Sequence, residues 1–445
     1  MTRSLVLAGG GMRVAWQTGV VKALAEEGLA FDHIDGTSGG ILTAGMLLSG
    51  LPADEMVRRW SALDVGDFAS GLPVKEYLKG PWSLQAFGDA DGIRDRVFPG
   101  LGIDVARIHH ATIAGTFNVA DFTHKQSIAF EAAQVDAELL AAGMSLPIFM
   151  TPLRRDGVVY TDAVWIRDAN VSEALRRGAE EIWLVWCIGN SGYYGDGPLE
   201  QYVHMIEMSA TGALLADFAQ AQAAGRRFVL HVVKPQHPLP LDPEYFLGRI
   251  STDSLIAMGY RDARAYLSGV SPTGVPADAA CTAMTEQAPG IRYVERLGAE
   301  VRGARLTLTV TVVLPLPGES AVPELAGFLD YAPWGVRIFL AEGTIDIDGA
   351  RVTYTARVLH EGTWLRLTAR RDLTDDPGWD AWGDMNTVEF ALHDAQGAVV
   401  LSSGLTLGFS GLRRLVASVE PVGTHGLVSR ADAIRRVLAK VFGRD

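Results

Sequence analysis

The stretch Ile34-Asp35-Gly36-Thr37-Ser38-Gly39-Gly40-Ile41-Leu42-Thr43-Ala44-Gly45-Met46-Leu47-Leu48 decides how the chain is read. An apolar run leads into Gly36 and a second one leads away from Gly40, which predicts a strand, a very sharp turn and a helix. Gly36 and Gly40 flank Ser38 in the pattern G-x-S-x-G, with Thr37 and Gly39 completing the turn. Glycines there permit strained dihedrals and close packing, so the Ser38 hydroxyl is pushed out at the top of a sheet. The positive end of the following helix favours negative charge developing near that oxygen. The same five residues also fit an ordinary βα turn, so the decision rests on what surrounds them.

Upstream, Ser4 to Ala8 reads as an apolar strand running into Gly9-Gly10-Gly11-Met12-Arg13. Trp16 to Gly28 follows at helical spacing, with Gly28 placed as a C-cap. The opening is therefore strand, glycine loop, helix, strand, Ser38 turn, helix: an α/β unit with parallel strands. Three glycines leave N–H groups uncovered at a helix start, which suits a phosphate or an oxyanion. A dinucleotide site calls for G-x-G-x-x-G; Gly9 and Gly11 fit, but Val14 stands in the third position. Asp32 or Asp35 would supply its acidic residue, yet Ser38 then has no role. An oxyanion hole beside Ser38 accounts for both glycine clusters.

Downstream, residues 52–110 scatter Trp60, Phe68, Tyr77, Trp82, Phe87 and Phe98 among loops and short helices. They read as a cap over an apolar cleft, or as helices packed on the sheet. Ala111 to Asn118 and Gln126 to Phe130 alternate as strands. Asp162 closes the strand Val158-Val159-Tyr160-Thr161, which places it at the same sheet edge as Ser38, where α/β ligand sites gather; the alternative is that it caps the next helix. Helices are expected over Val171–Gly178, Glu200–Ala224 and Ser254–Leu267, and strands over Ile182–Ile188 and Arg227–Val233, with a proline-broken turn at Pro238–Tyr245. Pro272 to Asp278 reads as part of a linker. From about Arg305 the pattern becomes β: Leu306–Val313, Gly343–Ile347, Arg351–Val358 and Trp364–Ala369 describe a small antiparallel sheet or barrel. The aromatic stretch Gly378–Thr387 is expected to close its core, and Arg430–Phe442 to form an amphipathic helix.

The chain has 445 residues, 48% hydrophobic and 20% charged, enough for two or three globular domains. A net charge of -13 argues against nucleic acid and against electrostatic docking on an anionic membrane. A lipid partner, or a peripheral membrane contact, would be held by apolar surface. The first apolar run is too short for a signal sequence, and no stretch is long and apolar enough to span a bilayer. Cys187 and Cys281 are expected as free buried thiols, consistent with a reducing cytoplasm. His109-His110 and Asp121 with His124 lack metal-ligand spacing, and neither a metal nor another cofactor is expected.

Taken together and in order, Gly9-Gly10-Gly11-Met12-Arg13, Gly36-Thr37-Ser38-Gly39-Gly40 and the segment Ser145-Leu146-Pro147 to Tyr160-Thr161-Asp162 resemble the patatin-like phospholipases. The resemblance covers residues 1 to about 270. It implies a three-layer α/β hydrolase with a mostly parallel central sheet and a cap-like region at about 52–110. It further implies a Ser/Asp dyad, Ser38 as nucleophile and Asp162 as general base, acting on lipid esters. The loop Gly9–Arg13 would form the oxyanion hole, with the N–H groups of Gly10, Gly11 and Met12 as donors and Arg13 in support. The family's Asp-Gly-Gly/Ala is here Asp162-Ala163-Val164, and Val14 replaces a frequent glycine, so altered activity is one reading. A linker at 271–294 would join a β-rich domain at 295–445, a barrel or sandwich. Through Gly378–Thr387 and Gly404–Phe409 that domain looks like one found beside patatin-like and cholesterol-oxidase-type modules in bacterial proteins. Two other readings stand beside lipid acyl hydrolysis: a non-catalytic lipid- or sterol-binding protein on the same scaffold, and an acyltransferase or sterol esterase using the same dyad.

Overall fold

A computed structural model describes residues 1–78, 84–190, 192, 197–240, 250–316, 319–348, 351–372, 386–423, 431–432 and 435–436. Trp82, most of the Pro238–Tyr245 turn, residues 378–385 of the aromatic stretch and most of the terminal helix lie outside them. The chain divides into two units: 1–248 with 266–285, and 249–265 with 286–445.

The first unit is built on strands β1 (Arg3–Leu7), β2 (His33–Thr37), β4 (Ala114–Asp121), β5 (Gln126–Glu131), β7 (Leu153–Arg155), β8 (Val158–Asp162), β9 (Glu181–Val185) and β10 (Val229–Val233). Two short strands, β3 (Ala86–Gly88) and β6 (Ile148–Met150), pair separately. The main sheet runs β10-β9-β1-β2-β4-β8-β7 and is parallel from β10 to β4. β8, β7 and β5 join it antiparallel. Parallel central strands are buried on both faces, which is why β1 and β9 read as nearly unbroken apolar runs; β2 is equally buried but carries His33, Asp35 and Thr37. Val6, Ala8, Ile182, Leu184, Leu230 and Val232 form one face, packed against helices Val171–Arg176 and Pro198–Ala223. The helix Gly40–Leu48 packs on β1 and β2. Its first residue crosses β1 closely: a β-carbon on Gly40 would lie 2.8 Å from Ala8 O and closer still to Leu7 O. Only glycine lets that helix begin there.

The register around β4 positions the site. Thr37, the last residue of β2, pairs with Asn118, while Asp162, the last residue of β8, pairs with Val119. Asn118 and Val119 both also pair with β5, so β2 and β8 share the opposite flank of β4. Their C-terminal ends therefore meet head to head.

The second unit is a closed antiparallel barrel, not a sandwich. Strands β11 (Gly290–Val301), β12 (Ala304–Pro315), β13 (Glu324–Tyr331), β14 (Gly335–Asp348), β15 (Arg351–His360), β16 (Thr363–Asp372), β17 (Thr387–His393) and β18 (Val399–Thr406) pair in sequence. β11 pairs with both β12 and β18, closing the ring, and β19 (Glu420–Val422) adds to β11. Inward residues alternate, as in Leu306, Leu308, Val310, Val312 and Leu314 of β12. One inward cluster is polar: Arg371 donates to Glu295, and Tyr354 Oη donates to Glu295 Oε2 at 3.0 Å, all three buried. Glu295 on β11 faces β15 and β16 across the ring, so this cluster spans the lumen. Arg371→Met leaves the Glu295 charge buried and unmatched, and is expected to cost about 3–5 kcal/mol. Glu295→Leu with Arg371→Met should recover most of that loss in urea unfolding; equal losses in single and double variants would show that the pair is not what the lumen depends on.

Candidate functional site

The turn after β2 puts Ser38 at φ 53, a left-handed conformation that non-glycine residues rarely adopt. Gly39 and Gly40 then open the helix, and Ser38 O accepts the Ile41 N–H at 2.9 Å. The Ser38 side chain is 5% exposed, and its Oγ donates to Asp162 Oδ2 at 2.6 Å. Asp162 Oδ1 accepts the Val164 N–H at 2.9 Å. Burial pushes the Asp162 carboxyl up to about 7, while the Ser38 and Val164 hydrogen bonds pull it back. Ala163 and Val164, where the motif departs from the expected glycines, are buried, and Val164 serves Asp162 through its backbone.

The glycine loop lies against this pair. A β-carbon on Gly9 would sit 2.8 Å from Ser38 Cβ and 3.3 Å from Ser38 Oγ, and one on Gly39 would sit 2.6 Å from Gly11 O. Gly11 has φ 59 and opens the short helix Gly11–Val14. Arg13 Nε donates to Gly10 O at 2.9 Å. Of the remaining expected residues, Met12 is buried in the short helix, and Gly36 and Thr37 end β2.

Beneath the elbow, Asp35 accepts from Thr116 Oγ1 and from Asn170 Nδ2, and His33 pairs through Nε2 with the same Thr116 at 2.8 Å. Burial pushes Asp35 up to about 7 and His33 down to about 4. One residue that the sequence reading did not single out stands beside the loop: Asp168, whose Oδ1 accepts the Gly9 N–H at 2.8 Å. It follows Asp162 in the segment leading to the helix Val171–Arg176, where no periodicity marks it. A carboxylate six residues after a first one, in a segment that is apolar but for Arg167, was the available signal. Among the described residues no group of histidine, cysteine and carboxylate side chains is arranged to hold a metal ion.

The family of patatin-like phospholipases matches residues 5–175, a span that contains the glycine loop, Ser38, Asp162 and Asp168. The α/β domain is patatin-like. Two curated relatives of the patatin-like domain are lysophospholipase NTE1 of Yarrowia lipolytica, 26% identical over 194 residues, and lysophospholipase NTE1 of Scheffersomyces stipitis, 25% identical over 197. Each match takes in 41% of this chain, but only 12% and 11% of those proteins. Among solved structures, VipD from Legionella pneumophila is similar at a TM-score of 0.36 and 13% identity, over 60% of this chain and 67% of that one.

Proposed function

We propose that the protein is a lipid acyl hydrolase that works through an acyl-enzyme on Ser38. The observation that carries this reading is the 2.6 Å hydrogen bond from Ser38 Oγ to Asp162 Oδ2, inside the span matched by the patatin-like phospholipase family. A serine hydroxyl is a weak nucleophile and needs an adjacent base. As ionised Asp162 takes the Ser38 proton, Oγ attacks the acyl carbonyl and the carbonyl oxygen becomes an oxyanion. The loop Gly9–Arg13 offers N–H groups to that oxygen, each such donor worth on the order of 3 kcal/mol. Collapse of the tetrahedral species expels the alcohol, which takes back the proton from Asp162. Asp162 then draws a proton from water, which attacks the acyl-serine; the acyl C–Oγ bond breaks, Oγ takes the proton back from Asp162, and the carboxylic acid is freed. The backbone role of Val164 leaves Asp162 held as a base despite the altered motif, which weighs against a purely binding scaffold.

An apolar substrate suits the surroundings. Trp165 packs on Tyr202 at 5.3 Å between ring centroids, Tyr202 on Phe149 at 5.1 Å and Phe149 on Phe87 at 6.2 Å. Phe87 and Ile148 are exposed, an outer apolar lip fit for an acyl chain. Among the described residues no helix is long and apolar enough to cross a membrane, so on this reading lipid contact would be made through such surface.

The test is labelling by a fluorophosphonate, read by mass spectrometry. Wild type is expected to label on Ser38, and the Ser38→Ala variant not at all. Because Asp162 must be ionised to act, the labelling rate should climb as pH rises through about 7. A rate independent of pH across that range removes Asp162 as the base. No labelling even with detergent micelles present would sink the hydrolase reading.

A further inference from the structure

Asp168 is a buried carboxyl that the hydrolysis described above leaves unused. It is fully excluded from solvent; Oδ1 accepts the Gly9 N–H, and Oδ2 has no hydrogen-bond partner among the described residues. It stands close to the reacting groups, since the point where a Gly9 β-carbon would sit is within contact of both Asp168 Oδ1 and Ser38. The other side of Gly9 is held as well. Cys187 Sγ–H donates to Gly9 O at 3.1 Å, and Gln17 Nε2 donates to Ala8 O at 2.6 Å. In a trans peptide the carbonyl and the following N–H point in opposite directions. Holding Gly9 by its N–H and its carbonyl therefore fixes two successive peptide planes, and with them the direction of the Gly10 N–H. Arg13, on Gly10 O, fixes the next plane.

We propose that Asp168 is a positioning residue that works as the neutral acid: through Gly9 it aligns the glycine loop, and it keeps negative charge away from the place where the oxyanion forms. This rests on the Ser38 reading. An unpaired carboxylate at Oδ2 would be costly, whereas a neutral carboxyl is tolerated. The charged groups facing it are Asp162, at the end of β8, and Arg13, in the helix Gly11–Val14; Gly9 N–H and Ser38 face it uncharged. Burial chiefly, with Asp162 adding, pushes Asp168 up to about 8, while the Gly9 hydrogen bond and Arg13 pull it back. Above that pH a second negative charge enters the site and opposes the oxyanion.

The test compares the full chain as wild type, Asp168→Asn and Asp168→Ala, by fluorophosphonate labelling rate against pH and by melting temperature against pH. Wild type should give a bell, rising near pH 7 and falling near pH 8. Asp168→Asn keeps an acceptor for Gly9 and cannot ionise, so it should rise as wild type does and then hold a plateau. Asp168→Ala releases the loop and should label about 100-fold more slowly at every pH. For melting, the folded pKa of Asp168 lies above its unfolded value. Its stability contribution is therefore full below the ordinary carboxylate range and lost as pH rises toward 8. The melting temperature of Asp168→Asn relative to wild type should thus climb between about pH 5 and pH 9. A falling limb that survives in Asp168→Asn, or wild-type labelling in Asp168→Ala, overturns the proposal. If wild type does not label on Ser38, the hydrolase reading fails, and the melting comparison alone decides: a difference that does not change with pH overturns the buried neutral acid.

Discussion

Replacing Ser38 by alanine is expected to lower turnover of a lipid ester by about 10⁴- to 10⁶-fold, the scale seen when the attacking oxygen of a serine hydrolase is removed. Asp162→Asn should cost about 10⁴-fold, because an amide keeps the hydrogen-bonding shape but cannot take the Ser38 proton. The two variants should part company in stability. The folded pKa of Asp162, about 7, lies above the ordinary carboxylate value, so the native state binds its proton more tightly than the unfolded chain does. Its contribution to stability is full below pH about 4 and drains away as pH rises to about 7. Asp162→Asn escapes that loss and should unfold at higher urea than wild type at about pH 8, with the gap closing on acidification. Ser38→Ala removes the hydroxyl that pulls the Asp162 pKa down, and so should not share the gain. Kinetics and urea unfolding of both variants across pH check this. Near-wild-type turnover in either one would end the case for the pair.

The second large effect falls on the fold itself. Gly40→Ala places a methyl against Leu7 O and Ala8 O, backbone atoms of a central strand that cannot move without disturbing β2 and β9 on either side. A destabilisation of about 3 kcal/mol is expected, at the upper end for an overpacked site. Urea unfolding measures it. An unchanged midpoint would mean that the helix can start further from β1 than it does here.

Residues whose own neighbours in sequence carry the constraint were legible. The glycines around Ser38 and the run Gly9–Gly11 declare close approaches whatever the rest of the chain does. Likewise β15 and β16 show alternation, because one side faces the lumen and the other is open. β13 did not show it: seven of its eight residues are buried, so burial does not alternate along it. The cause lies in distant sequence. Within the second unit, Tyr260 stacks on Phe339, Arg261 pairs with Glu324 at 2.8 Å and Ser254 bonds to Thr311, so the stretch 252–265 covers the outside of β12 to β14. Asp168 was missed for a related reason. Its meaning comes from Gly9, 159 positions away, and nothing local hints at that partner. The closing of the barrel was equally out of reach, since it depends on β11 meeting both the next strand and one more than ninety residues on.

The strand β4 sets the distance between two groups it does not contain. Ser38 and Asp162 come from strands that do not pair with each other, and each is placed against the other by its count along β4. Inserting a single residue between Asn118 and Val119, or deleting one of the two, would shift one partner against the other by about 3.3 Å, more than the hydrogen bond can stretch. It would also turn the later β4 side chains to the opposite face. The chain can therefore tolerate a change of length in the loops on either side of β4 far better than within it, and a natural variant with an altered β4 length should be read as one that has given up the Ser38–Asp162 contact.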